Sequence, residues 1–215
     1  KCVAHADLDL EPRGTMARRR AYLDWNATAP LCDAARRAML DAYDLPGNAS
    51  SVHGEGRAAR AGLDRARRQV AALVGADPQH VTFTSGATEA ANLVLTPGYR
   101  MGRAPLAVGR LYVSAIEHPA IREGGRFAKA DVVEVSVTAQ GCLDLTALAE
   151  RLDDHDTAAG LPMVALMLVN NETGVIQPVA EAAKIVHAKG GLLVVTRFRR
   201  SGALPSTWLR WMRIS

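Results

Sequence analysis

Three short polar clusters in this chain have the residue types and placement to handle a small ligand. In Thr84-Ser-Gly-Ala-Thr88 an extended run ends in small residues just before an apolar helical pattern. The free N–H groups and positive dipole end of such a helix favour an anion, and the Thr88 hydroxyl can add a donor. Glu117-His-Pro119 places an imidazole directly after a second strand pattern, and Asn170-Asn-Glu-Thr-Gly174 places paired amides after a third. Each has a plain alternative: a β–α turn with a Ser/Thr cap, a histidine at a helix start, an Asn-rich turn chosen for its backbone. Ligands of α/β folds bind outside the carboxyl ends of the strands, and all three clusters fall there. An anion anchor, an imidazole and a hydrogen-bonding amide on one edge make a better case than any one alone.

Other chemistries fit less well. Gly54-Glu-Gly-Arg-Ala-Ala59 has the outline of a dinucleotide fingerprint, but the polar loop Asn48-Ala-Ser-Ser-Val-His53 precedes it where that motif needs a strand. No phosphate-binding Walker motif and no Gly-x-Ser-x-Gly elbow occurs. Cys2, Cys32 and Cys142 are odd in number and far apart, which suits neither a disulfide framework nor a zinc ribbon, and no metal site is expected.

The elements that must carry these clusters are legible from periodicity. A short strand is expected over Arg20–Asp24, and a helix from Asp33, as cap, through about Tyr43. Leu63, Ala66, Val70, Leu73 and Val74 recur at helical spacing within Gly54–Val74, which Gly75-Ala-Asp-Pro78 ends. Strands are expected over His80–Thr84, Leu111–Ser114, Asp131–Val137, Pro162–Val169 and Gly191–Val195. Helices are expected from Ser85 to Leu95, from His118 to about Phe127, over Leu145–Leu152 and over Val179–Val186. The unbroken apolar run Pro162–Val169 is that of a strand covered on both faces. Strand and helix alternate, so the fold class is α/β, a largely parallel sheet with flanking helices.

Composition narrows the rest. The 215 residues carry a formal charge of +4, but residues 196–215 hold five arginines and no acid while residues 16–195 are neutral. The basicity belongs to the tail, which argues against a nucleic-acid partner. No apolar run reaches the roughly 18–20 residues of a membrane span, no secretory signal opens the chain, and a reducing cytoplasm is expected. Residues 1–15 lack periodicity and precede Met16, so they read as a disordered leader or upstream extension. Residues 16–195 read as the structured body and 196–215, with neither period, as a separate tail.

Five motifs in order, Tyr22-Leu-Asp-Trp-Asn-Ala-Thr28, Gly47-Asn-Ala-Ser-Ser-Val-His53, Phe83-Thr-Ser-Gly-Ala-Thr-Glu89, Glu117-His-Pro119 and Val169-Asn-Asn-Glu-Thr-Gly-Val175, resemble the successive signatures of cysteine desulfurases. These are pyridoxal-phosphate enzymes of the class V aminotransferase fold. The resemblance runs from about Ala21 to Val195 and implies part of the large domain of a fold-type I enzyme. It implies that Ala87 and Thr88 hold the cofactor phosphate, that His118 stacks on the pyridine ring and shuttles protons, and that Asn171 bonds the ring oxygen. It also implies conversion of L-cysteine to L-alanine, a sulfur acceptor serving iron–sulfur cluster or thio-cofactor assembly, and a homodimer. A selenocysteine lyase, another class V aminotransferase or a non-catalytic binding remnant are the alternatives.

Ala49 stands where the family usually has proline, a change in loop stiffness. After Val195 the departures are larger. Thr196 stands where the family has the aspartate that pairs with the pyridine nitrogen, and Arg199 where it has a glutamine. The Schiff-base lysine would fall just beyond Ser215, and neither Cys32 nor Cys142 aligns with the persulfide cysteine. Residues 196–215 are expected to be a frameshifted translation of a family gene, since a one-nucleotide shift can restore Asp-Ala-Val-Gln. The chain is therefore expected to be inactive, and, with apolar strands in need of cover, poorly folded in isolation.

Overall fold

The computed structural model describes residues 21–25 and 28–196. The expected leader and all of the expected tail except Thr196 lie outside the described residues. The elements run α1 (Asp33–Tyr43), α2 (Gly54–Val74), α3 (Ala87–Val94), β1 (Gly98–Met101), β2 (Ala104–Ser114), α4 (Pro119–Arg122), β3 (Val132–Val135), α5 (Leu145–Asp153), β4 (Leu161–Met167), α6 (Val179–Ala188) and β5 (Leu192–Thr196). Contacts divide the chain into two compact units at Val70 and Ala71.

The second unit holds the sheet. β3, β2, β4 and β5 lie side by side and parallel, with Leu111 opposite Val132 and Met163, and Met163 opposite Leu192. β1 pairs antiparallel with the start of β2, Gly98 against Ala107. Successive strand side chains point to opposite faces, and the core divides accordingly. Leu111, Val113, Met163 and Ala165 pack on one face with Ala91 of α3, Leu95 at its C-cap and Ile121 of α4. Tyr112, Val164 and Leu166 pack on the other with Leu148 and Leu152 of α5 and Ala182 and Val186 of α6. Six of the seven β4 residues are buried, as a strand covered on both faces requires.

The first unit is α1 and most of α2. α1 buries no residue, and Met39, Leu40 and Tyr43 are exposed. Along α2, Leu63 and Val70 are exposed as well, whereas Gly56 is buried. A Cβ on Gly56 would meet the Ser51 carbonyl oxygen at 2.5 Å, so this glycine serves the packing of a polar loop, and no strand precedes it.

Several elements differ from expectation. Residues 21–24 form no strand. Cys32, not Asp33, is the N-cap of α1, and no side chain caps it. Asp77 accepts from the Gln79 N–H and winds Pro78–His80 into a 3₁₀ turn, and the extended residues after it pair with no described strand. The expected helix over His118–Phe127 stops at Arg122, because Gly124 and Gly125 take left-handed conformations (φ +85° and +59°). A Cβ on Gly125 would also lie 2.7 Å from the Leu95 carbonyl oxygen. The hairpin of β1 with β2 has no counterpart in the expectation.

Candidate active site

The carboxyl ends of β2, β4 and β5 point to one edge of the sheet, where one cavity reaches the end of β5, and a second cavity lies beside it next to β3, both among the elements of the second unit. The smaller, about 250 Å³, is walled by Ala87, Ala90 and Ala91 of α3, by His118 and Ile121, and by Val194, Val195 and Thr196 at the end of β5. The larger, about 590 Å³, is lined by Thr88, Asn92, Arg122, Lys129 and Glu134 among others. Ala120 lines both. The structure thus brings Ala87 and His118 to one cavity and places Thr88 one residue away on the wall of the next. Asn171, half-buried in the β4–α6 loop, lines neither of the two.

Local hydrogen bonds explain the shape of each corner. α3 starts from Gly86, and no side chain caps it, so the Ser/Thr cap of the plain reading is not formed. The Thr84 hydroxyl instead donates to the Gly86 carbonyl at 3.0 Å. Ser85 donates through both its hydroxyl and its N–H to Glu89 Oε2 at 2.6 Å, a carboxylate reaching back over the first turn. These bonds, the hydroxyl's first, hold the Glu89 carboxyl below its ordinary pKa. Ser85 is therefore committed to Glu89, and the first N–H groups of α3 remain the donors that a helix start directs at an anion.

His118 is the N-cap of α4, its Nδ1 accepting from the Ala120 N–H at 3.2 Å. An accepting Nδ1 carries no proton, so the neutral ring bears it on Nε2. Glu117 and Asn170, which stand beside His118 and Asn171 in the same two motifs, hold the surrounding loops. Glu117 is only 4 % exposed, and its Oε1 accepts from the Met167 N–H at the end of β4. Burial lifts its carboxyl to about 7, against the pull of the Met167 and His118 backbone N–H groups. Asn170, buried, accepts through Oδ1 from the Glu172 and Thr173 N–H groups at 2.9 Å each and donates to the Ile116 carbonyl at 3.3 Å. No periodicity signals these partners, which lie 50 and 54 residues apart.

A flat aromatic ring carrying a phosphate suits this edge. The smaller cavity offers apolar walls and an imidazole, and the start of α3 offers N–H donors. Two features of pyridoxal-phosphate chemistry are not met by the described residues. The β5 end contributes the Thr196 hydroxyl and no carboxylate, and no lysine lines the smaller cavity. The residues fit non-covalent holding of the group.

An α/β sheet with a cavity at the carboxyl edge of its strands, beside an uncapped helix start, has the general form in which α/β proteins bind their ligands. Residues 21–197 match the aminotransferase class-V family, and the chain belongs to it. Among curated relatives it is 36 % identical over 190 residues to an IscS-like cysteine desulfurase of Mycobacterium tuberculosis, covering 86 % of this chain and 48 % of that protein. It is 39 % identical over 196 residues to a cysteine desulfurase of Sinorhizobium fredii, covering 87 % and 48 %. Of solved structures, a NifS-like protein from Rickettsia africae superposes with a TM-score of 0.69 at 32 % identity, over 81 % of this chain and 46 % of that one. The chain thus spans about half the length of the relatives it matches.

Proposed function

We propose that this chain is the cofactor-holding portion of a pyridoxal-phosphate-dependent cysteine desulfurase. The observation that carries the reading is the 250 Å³ cavity that joins Ala87 and His118 to the end of β5, within a fold shared with cysteine desulfurases. In this reading the Ala87 and Thr88 N–H groups and the Thr88 hydroxyl take the phosphate. His118 covers one face of the ring and Asn171 reaches its ring oxygen. Bound there, pyridoxal phosphate supplies an electron-withdrawing ring that loosens bonds at the α-carbon of an amino acid. His118, protonated on Nε2, donates from that nitrogen, and taking up a second proton on Nδ1 displaces the Ala120 N–H. Ala90, Ala91, Val194 and Val195 keep water from the ring and strengthen these polar contacts.

The whole protein would act on L-cysteine, release L-alanine and pass sulfur to an acceptor for iron–sulfur cluster or thio-cofactor assembly, as a homodimer in the cytoplasm. No described helix is long and apolar enough to cross a membrane. The 215-residue chain on its own would hold the cofactor without turning it over. The Thr196 hydroxyl does not stabilise a protonated ring nitrogen as a carboxylate does, and no lysine at the cavity positions a base for the α-proton. Purified chain with added pyridoxal phosphate and L-cysteine should release no sulfide above a no-protein control, and turnover would overturn this part of the proposal.

A further inference from the structure

We propose that the larger cavity, about 590 Å³, is a second ligand site that takes a dipeptide-sized zwitterion by its two ends: the carboxylate against Arg122 and Lys129, the ammonium group against Glu123 and Glu134. Thr88 and Ala120 line this cavity as well. The inference uses neither of them, nor His118, Asn171 or the end of β5, and so stands apart from the cofactor reading.

The cavity follows from the shortness of α4. The helix stops at Arg122, and Gly124 and Gly125, both left-handed, turn the chain back toward the end of α3. There the Arg126 N–H donates to the Leu95 carbonyl at 2.9 Å. A Cβ on Gly124 would strike Val132, and one on Gly125 the Leu95 carbonyl, so packing fixes the path of this turn. The hollow that remains is lined by Val113 of β2 and Val132 of β3, with Asn92 of α3 on its wall. Asn92 spends its Nδ2 on the Thr88 carbonyl at 2.9 Å, which leaves its Oδ1 as an acceptor. The volume falls in the range of small-molecule sites, roughly 300–1,000 Å³.

Charge selects the ligand. Four charged side chains line the hollow, two of each sign, and all four are exposed. The Lys and Arg ion pairs among the described residues lie elsewhere, Arg67 with Asp64 and Lys189 with Asp153, so these four do not neutralise one another. Their charges sum to zero. A simple anion or cation drawn to one pair is therefore repelled by the other, whereas a ligand carrying both signs gains at both ends. The charges also sit on three separate pieces of chain: the end of α4, the 3₁₀ turn that begins at Lys129, and β3. A dipeptide, whose end charges are further apart than those of a single amino acid, suits that spread, and Val113 and Val132 offer cover to an apolar side chain.

The test titrates L-alanyl-L-leucine into the full 215-residue chain without cofactor, followed by amide NMR. Two single-charge analogues are run beside it: the N-acetyl dipeptide, which lacks the ammonium group, and the dipeptide amide, which lacks the carboxylate. Saturable shifts are expected at Asn92, Arg122, Gly125, Lys129 and Glu134, with each analogue binding about tenfold more weakly. Arg122→Gln should weaken the free dipeptide by about threefold or more without weakening the amide, and Glu134→Gln should do so without weakening the N-acetyl form. Both side chains are exposed, and the same spectra verify that the variants fold. If one variant does not fold, the other decides. Analogues that bind as tightly as the free dipeptide overturn the proposal. So do shifts confined to Ala87, Val194 and Thr196 at the smaller cavity, or the absence of any saturable shift.

Discussion

Helix α1 and strand β4 are both rich in apolar residues, yet they meet opposite ends. Asp33–Tyr43 buries nothing, with Leu40 58 % exposed and Tyr43 79 % exposed, whereas β4 buries six of its seven residues. Both have the right local pattern for their element. The difference is that β4 has a strand on each edge and a helix layer on each face, while the apolar side of α1 meets no such layer among the described residues of its own unit. Local pattern suffices to form an element, but only cover from other elements turns its apolar residues into stability.

The comparison breaks most visibly in the core. Leu166→Ala removes a fully buried side chain between β4 and the α5–α6 layer and should cost about 2–5 kcal/mol in denaturant unfolding. A loss as small as that of a surface change would mean the sheet is not the stable part. The next effect is electrostatic. The folded pKa of Glu117, about 7, lies above its ordinary value of 4.5, so the folded state holds this proton more tightly than the unfolded one. Its contribution is fully present below pH 4.5 and is lost as pH rises through about 7. Glu117→Gln should flatten that fall in stability, and an unchanged profile between pH 4.5 and 7 would place the titration elsewhere. The smallest effect is expected on α1, where Leu40→Ala should change stability by no more than about 0.5 kcal/mol. A larger loss would show that this face is covered in solution.

The same contrast explains what could be read from the sequence. α2 and β4 were legible because one carries a helical period and the other an unbroken apolar run, each long enough to be unambiguous. β1 was not: Gly98-Tyr-Arg-Met101 is only four residues long, and pairing with β2 makes it a strand. The helix after His118 was drawn too long because Ile121, Arg122, Arg126 and Phe127 resemble a helical face, while the left-handed Gly124 and Gly125 end it at Arg122. At the site, His118 was legible as a residue following a strand and Ala87 through the family resemblance, and both line the smaller cavity. The structural roles of Glu117 and Asn170 were not, although both stand in the quoted motifs, since a buried acid runs against the rule that charges face water, and their partners Met167 and Ile116 lie 50 and 54 residues away.

Non-covalent holding of pyridoxal phosphate at the carboxyl edge of this sheet, as proposed above, can be measured by titrating the cofactor into the chain and then reducing with borohydride. Saturable, dialysable binding is expected, which falls sharply in His118→Ala and leaves no adduct on Lys129, Lys184 or Lys189. Thr196→Asp is expected to tighten binding by roughly tenfold or more, through a charge-assisted hydrogen bond to the ring nitrogen. Absence of saturable binding, or a borohydride-fixed adduct at a single one of these lysines, would contradict the proposal.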